Sequence, residues 1–490
     1  MPALLPGLVA LLLLGAASPE QDCAALARLS IPNVTIETAQ PVSGTFAAPD
    51  GGRIETVAIC RVRGIARPSP ASHVTFELWM PQAGWNGRYY QLGNGGFAGN
   101  IHHPSLAAEA ARGNAAAVTD TGHSADQYDA RWAAGQPERV VDYGHRSIKA
   151  TSDAAAALIA AYYGRPARRR YFAGCSNGGR QALMAAQRYP EDWDGIIAGA
   201  PANLWTEQLT SFAALQHRLQ TVPGAWIPPA KLPAIQRAAL ASCPARSLVE
   251  GVALDPRRCR LNPARLRCRG PERDTCLTSA QVGSLRRIQA AGFEPTSADG
   301  PDGWSRWIVN PDPAARSQLS FATQAFRYLL GDDPAWEVRD FTPRHGIGST
   351  SRDMLDADAV DLGRFRARGG RIISYFGWAD PLISPRAGLA YYRRVAQRMG
   401  GLARTRDFYR LFMVPGMGHC QGGVAPDSFG QSIPAPALRP DPLHDIRLAL
   451  ERWVEDDSAP DALVAARYTG DGPTRTVSST RTLHPVSGMR

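Results

Sequence analysis

Tyr171-Phe-Ala-Gly-Cys-Ser-Asn-Gly-Gly-Arg180 is the stretch from which the rest of the chain is read. Tyr171 to Ala173 is an apolar strand, Gly174-Cys175-Ser176-Asn177-Gly178 a tight turn, and Arg180 to Arg188 a helix-forming run. Strand, turn and helix around G-x-S-x-G form the arrangement that lifts a serine hydroxyl clear of a sheet. Gly174 and Gly178 leave space where such a turn packs closely. In a chain with 47 glycines the pentapeptide alone says little. Its flanking strand and helix say more, and so does Cys175 immediately before the serine.

Outward from that turn, strand-like and helix-like segments alternate. Val57 to Val62 reads as an edge strand, and His73 to Met80 and Arg88 to Leu92 as further strands, the last running into Gly93-Asn-Gly-Gly96. A helix over Ser105 to Arg112, a strand over Ala115 to Val118 and an Ala-rich helix over Ser147 to Tyr163 lead to the turn. Beyond it come a helix and the strand Gly195 to Ala198. The rhythm breaks after about Asn203 and resumes with Gly370 to Phe376, a helix from Pro385 to Met399, the strand Asp407 to Val414 and a helix from Asp445 to Glu455. Such alternation predicts a mostly parallel sheet with helices on both faces. The interruption, 204–362, is rich in turns, cysteines and aromatics such as Trp205, Trp304 and Phe321, and reads as an inserted domain. The tail after Ala466 reads as polar and irregular.

The 490 residues suit one large domain with an insertion. A net charge of +10 raises the question of nucleic acid, but the basic residues are scattered and no recognised module accompanies them. The apolar run Ala3 to Leu14 followed by Gly15-Ala-Ala-Ser18 matches a signal peptide over 1–18, although no Lys or Arg precedes it. It is too short to span a membrane. Eight cysteines agree with an oxidising compartment, so the expected location is secreted or periplasmic. None of them forms a C-x-x-C pair, which argues against zinc and thioredoxin-like sites.

A serine nucleophile needs a base in reach and a carboxylate to orient that base. Asp380 follows the strand Gly370 to Phe376, and His419 follows the next one. Ser, Asp, His, each after a strand, is the chain order of the α/β-hydrolases, so the expected fold is α/β-hydrolase, with a mostly parallel central sheet and a large insertion. Cys175 precedes Ser176 and Cys420 follows His419. A bridge between them would tie the two loops on which proton transfer depends; the alternative is two unrelated thiols.

Cys-Ser, Asp and His-Cys in this order resemble the CS-D-HC motif of the tannase and feruloyl esterase family. Trp85-Asn-Gly-Arg88, Gly93-Asn-Gly-Gly96, Asp194-Gly-Ile-Ile-Ala-Gly-Ala-Pro201 and Val414-Pro-Gly-Met-Gly-His-Cys420 extend the likeness over nearly the whole chain. The resemblance implies a triad of Ser176, Asp380 and His419 and an oxyanion hole at the N–H groups of Gly96 and Asn177. It also implies the disulfides Cys175–Cys420, Cys23–Cys60, Cys243–Cys259 and Cys268–Cys276, a catalytic domain made of 23–203 and 363–490, and a lid domain of 204–362 over the active site. Such a protein is expected to hydrolyse esters of aromatic acids, from small molecules or plant polymers, without nucleic acid or membrane as partner. Acyl transfer to an alcohol, non-catalytic polyphenol or carbohydrate binding, and thiol exchange at Cys175–Cys420 are the alternatives.

Two features depart from the family. Its lids carry a calcium loop of clustered carboxylates, which here reads Cys243-Pro-Ala-Arg-Ser-Leu-Val-Glu-Gly251, with Glu250 the one remnant. No cofactor or metal is therefore expected. The C-terminal disulfide of many members has no counterpart in Arg481-Thr-Leu-His-Pro485.

Overall fold

The computed structural model describes residues 23–49, 51–312, 314–342, 348–470 and 474–488. The signal peptide expected over 1–18 lies outside them. Nine strands form the central sheet: β1 (Val34–Ala47), β2 (Arg53–Ala66), β3 (Val74–Pro81), β4 (Arg88–Leu92), β5 (Ala115–Thr119), β6 (Arg169–Cys175), β7 (Gly195–Gly199), β10 (Arg371–Gly377) and β11 (Tyr409–Val414). Two short strands, β8 (Leu248–Val249) and β9 (Val252–Ala253), make a separate hairpin. The sheet order is β1-β2-β3-β5-β4-β6-β7-β10-β11. Pairing is antiparallel from β1 to β5 and parallel from β5 to β11.

Strands covered on both faces need apolar residues at consecutive positions. In β3, β5 and β7 every residue is buried. Alternate side chains divide between two cores, as the strand pleat dictates. Phe172, Ile196, Ile372 and Leu411 face one core, with the helices Ser147–Tyr163, Asn177–Arg188 and Pro385–Arg398. Tyr171, Ile197, Ile373 and Phe412 face the other, with His103–Ala111 and Ile446–Asp456.

Two expectations need correction. The segment Val57 to Val62 is not at the edge: it lies in β2, and β1 occupies the edge outside it. β1 escapes a sequence reading because Pro41 and Gly44 interrupt it and it bulges at Ile36/Thr38 and Val42/Gly44. Those features suit an edge strand, whose outer N–H groups need no partner. The tail is not irregular either. β12 (Leu463–Thr469) and β13 (Thr476–Leu483) pair as an antiparallel hairpin, which buries Leu463, Ala465 and Leu483 and turns polar Thr and Ser outward.

Between β7 and β10, which pair directly in the sheet, the described part of 204–362 adds no strand to it. That run forms the helices Trp205–Thr221, Leu232–Ala241 and Ser279–Ala290 and the β8–β9 hairpin. Its side chains Trp205, Leu209, Trp304 and Phe321 continue the core on the Phe172 face.

Candidate active site

At the end of β6 the backbone of Ser176 takes φ 63° and ψ −124°, a strained geometry for a residue bearing a Cβ. The turn is held by backbone contacts. Ser176 N–H donates to Gly199 O at 3.0 Å, and Ser176 O accepts from Ala202 N at 3.1 Å and Arg180 N at 3.0 Å. There is no room for side chains around it: a Cβ on Gly174 would lie 2.6 Å from the Gly178 backbone, and one on Gly93 would lie 2.5 Å from Gly178 Cα. Gln181 Oε1 accepts from Asn94 N at 2.9 Å and so joins the β4 loop to the elbow helix.

Asp380 is buried after β10. Its Oδ1 accepts from Leu382 N and Ile383 N, each at 2.8 Å, and its Oδ2 lies 2.7 Å from Nδ1 of the part-exposed His419. The other ring nitrogen, Nε2, lies 3.7 Å from Cys420 Sγ. Ala379 N donates to Met417 O at 2.9 Å, joining the two loops. Cys175 and Cys420 form a disulfide with Cα atoms 6.0 Å apart, so Ser176 and His419 are each one residue from the same bridge.

Gly96 lies on the loop after β4 with φ 52°, and a Cβ there would collide with Gln127 O. Asn177 is the first residue of its helix, so its N–H has no acceptor within the helix. Tyr143 and Arg180 stand behind both residues, and sequence reasoning missed them. Arg180 lay within the quoted motif without a role, and Tyr143 carried no signal beyond the Gly144 that follows it. Arg180 is fully buried; it donates to Asn177 Oδ1 (2.7 Å), Gly144 O (2.8 Å), Leu355 O (3.0 Å) and Tyr143 O (3.1 Å). Burial pulls its guanidinium below its ordinary pKa.

Behind the Gly96 loop, Asp120 Oδ1 accepts from Thr75 N (2.9 Å) and Gly122 N (2.8 Å), and burial raises its pKa to about 6. His123 stacks on Trp132 with ring centroids 3.8 Å apart, and its Nε2 lies 2.8 Å from Phe97 O. Burial lowers its pKa to about 4. Phe97 in turn meets Trp205 and Phe321, at 5.6 and 5.3 Å between centroids.

The other cysteines pair as Cys23–Cys60, Cys243–Cys259 and Cys268–Cys276. Ser247 Oγ is used at 2.6 Å on Pro244 O, and the Glu250 charge acts on Arg481, whose pKa burial lowers and Glu250 raises. Among the described residues no group of three His, Cys, Asp or Glu side chains could hold a metal.

A parallel-centred sheet with a strained serine between strand and helix, and a paired aspartate and histidine after the last two strands, places the molecule among the α/β-hydrolases. The chain matches the family described as Tannase and feruloyl esterase over residues 60–325 and 340–487. It is 41% identical to an uncharacterised esterase of Xanthomonas campestris pv. campestris, over 97% of this chain and 90% of that protein. It is 29% identical to a probable feruloyl esterase B-2 of Aspergillus terreus, over 94% and 90%. Feruloyl esterase B from Aspergillus oryzae superposes with a TM-score of 0.86 at 26% identity, covering 96% of each chain. The protein belongs to the tannase and feruloyl esterase family and is a carboxylic ester hydrolase.

Proposed function

We propose that the protein is an exported serine esterase that cleaves esters of aromatic acids through Ser176, His419 and Asp380. The observation that carries this reading is the Asp380–His419 pair at 2.7 Å, joined to the strained Ser176 through Cys175–Cys420. His419 Nε2 takes the Ser176 proton as Oγ attacks the ester carbonyl. The N–H groups of Gly96 and Asn177 hold the oxyanion, and Asp380 stabilises the imidazolium. Collapse expels the alcohol with the proton from His419 and leaves an acyl-enzyme. Water, deprotonated by His419, adds to the acyl carbonyl; the second oxyanion collapses, releasing the acid and restoring Ser176 Oγ–H. The named feruloyl esterase relatives support an aromatic acyl group.

The run 204–362 is proposed as a lid, since Trp205 and Phe321 reach Phe97 beside the Gly96 loop. Export is supported by the pairing of all eight cysteines, which oxidising compartments maintain. Among the described residues no helix is long and apolar enough to cross a membrane. The Cys243–Cys259 loop is proposed to stand without metal. Thermal melts should then be unchanged by a strong calcium chelator, and a sharp fall in Tm would reverse that proposal.

The central test compares wild type with Ser176→Ala on methyl ferulate, methyl gallate and p-nitrophenyl acetate. Wild type should turn over at least one aromatic ester, and the variant should lose about four to six orders of magnitude in kcat. An active Ser176→Ala would remove the serine mechanism. A wild type that cleaves only p-nitrophenyl acetate would remove the aromatic preference.

A further inference from the structure

We propose that Tyr143 is a positioning residue that locks the two backbone donors of the oxyanion hole into one rigid unit; this rests on the roles of Gly96 and Asn177 proposed above. Those two residues lie on different loops, after β4 and β6, and chain connectivity does not set their spacing. The Tyr143 hydroxyl stands between them. It lies 2.8 Å from Gly96 O and 3.2 Å from Asn177 Oδ1. A phenol has one proton to give. The nearer Gly96 O takes it, because Asn177 Oδ1 already accepts from Arg180 Nε at 2.7 Å.

The bond to Gly96 O acts on the direction of the Gly96 N–H through two successive peptide planes. The Gly96–Phe97 peptide is held on one side by Tyr143 and on the other by Phe97 N–H donating to Gln127 O at 2.9 Å. In the preceding plane Gly95 O accepts from Ala98 N at 2.9 Å. A trans peptide carries its N–H opposite its carbonyl, so the Gly96 N–H is turned away from Ala98. Among the described residues it has no protein acceptor and is left for an oxyanion.

Tyr143 is itself held in a one-turn π-helix, Asp142–Arg146, a widening that recurs at functional sites. Arg146 Nε bonds Asp142 Oδ1 at 2.6 Å across that turn. Arg180 donates to the carbonyls of both Tyr143 and Gly144, and its guanidinium lies 4.9 Å from the Tyr143 ring centroid. The Tyr143 hydroxyl thus holds Gly96 O, while its carbonyl is joined through Arg180 to Asn177 Oδ1. Burial raises the phenol to about 12, so it remains a donor throughout the working pH range.

Tyr143→Phe keeps the ring and removes the hydroxyl. Four quantities are measured on the full, oxidised protein: kcat and KM for methyl ferulate, inhibition by phenylboronic acid, inhibition by ferulate, and the urea midpoint. The boronate adduct on Ser176 places an oxygen where the oxyanion forms, whereas ferulate binds as the ground-state product. We expect kcat to fall about tenfold with KM within about twofold. Boronate affinity should fall by the same factor, with ferulate affinity and urea midpoint near wild type. Unchanged kcat and boronate affinity would overturn the proposal. A parallel fall in kcat, ferulate affinity and urea midpoint would also overturn it, by showing a structural role only. Ser176→Ala run alongside separates the two levels: if it is inactive while Tyr143→Phe behaves as wild type, only the Tyr143 proposal fails. An active Ser176→Ala would fail the serine reading itself.

Discussion

The half of the site built around Ser176 and the half built around Asp380 and His419 are held in different ways. The serine turn is made locally. Glycines at 93, 174 and 178 let backbone meet backbone, and the buried Arg180 gathers Asn177 and three carbonyls. Only one of those carbonyls, Leu355 O, comes from the inserted run 204–362. The Asp380–His419 half takes more from it. Gln208 Nε2 bonds Leu382 O at 2.5 Å and Gln318 Nε2 bonds Pro381 O at 2.9 Å, both just past Asp380. Arg257 lies 5.4 Å from the Trp378 ring centroid, and Val252 packs against Gly416 on the way to His419. A strained turn can be fixed by the shape of its own backbone. The His419 loop also has close backbone contacts of its own, with Gly418 N–H donating to Gly422 O at 3.0 Å, but it is fastened from the inserted run as well.

The disulfides offer the most forceful way to break this contrast. Cys175 and Cys420 are 245 residues apart and Cys243 and Cys259 are 16 apart. Chain entropy assigns about 5 kcal/mol to the first bridge and about 3 kcal/mol to the second. Replacing each pair with alanine should lower the urea-derived stability in that order. The activities should differ in degree. At temperatures where both variants stay folded, Cys175→Ala/Cys420→Ala should lose kcat because His419 is released from the serine turn. Cys243→Ala/Cys259→Ala should lose less kcat, since the bridge beside the Asp380–His419 pair persists even where the loop carrying Val252 and Arg257 is loosened. Equal losses of kcat in the two folded variants would mean that the bridge stabilises the chain without fixing the base.

The same division explains what was legible in the sequence. Buried parallel strands such as Gly195 to Ala198 and Gly370 to Phe376 stood out because both of their faces are covered and their residues are uniformly apolar. The elbow was legible because close backbone approach demands glycine at fixed offsets. Ser176, Asp380 and His419 each follow a readable strand, so chain order was enough to nominate them. β1 and the β12–β13 hairpin were missed because each lies partly in solvent and tolerates Pro, Gly, Ser and Thr. Tyr143 was missed for another reason. Its role depends on a π-helical turn and on groups from two distant segments, and no local pattern of residue types encodes that meeting.

The smallest expected effect is a pH dependence confined to the serine half. Asp120 and His123 sit on the loop behind Gly96, and their pKa values are displaced in opposite directions, to about 6 and about 4. Asp120 favours its protonated form when folded, so its contribution to stability is complete below its ordinary pKa near 3.8 and is lost as pH rises through about 6. His123 favours its neutral form when folded. Its contribution is complete above 6.5 and is lost as pH falls through about 4. The two slopes oppose each other across nearly the same window, and together they leave wild type with little net dependence from this loop. Asp120→Asn keeps an oxygen to accept from Thr75 N and Gly122 N but removes the Asp120 slope. Urea melts at pH 4, 5.5 and 7 should therefore show the variant gaining stability over wild type as pH rises. A shift of two pKa units corresponds to about 3 kcal/mol at most, and solvent in the open cavity of about 820 Å³ lined by Asp120 and His123 should reduce it to about 1 to 2 kcal/mol. A variant whose stability stays parallel to wild type at all three pH values would show that Asp120 is not held protonated in the folded serine half.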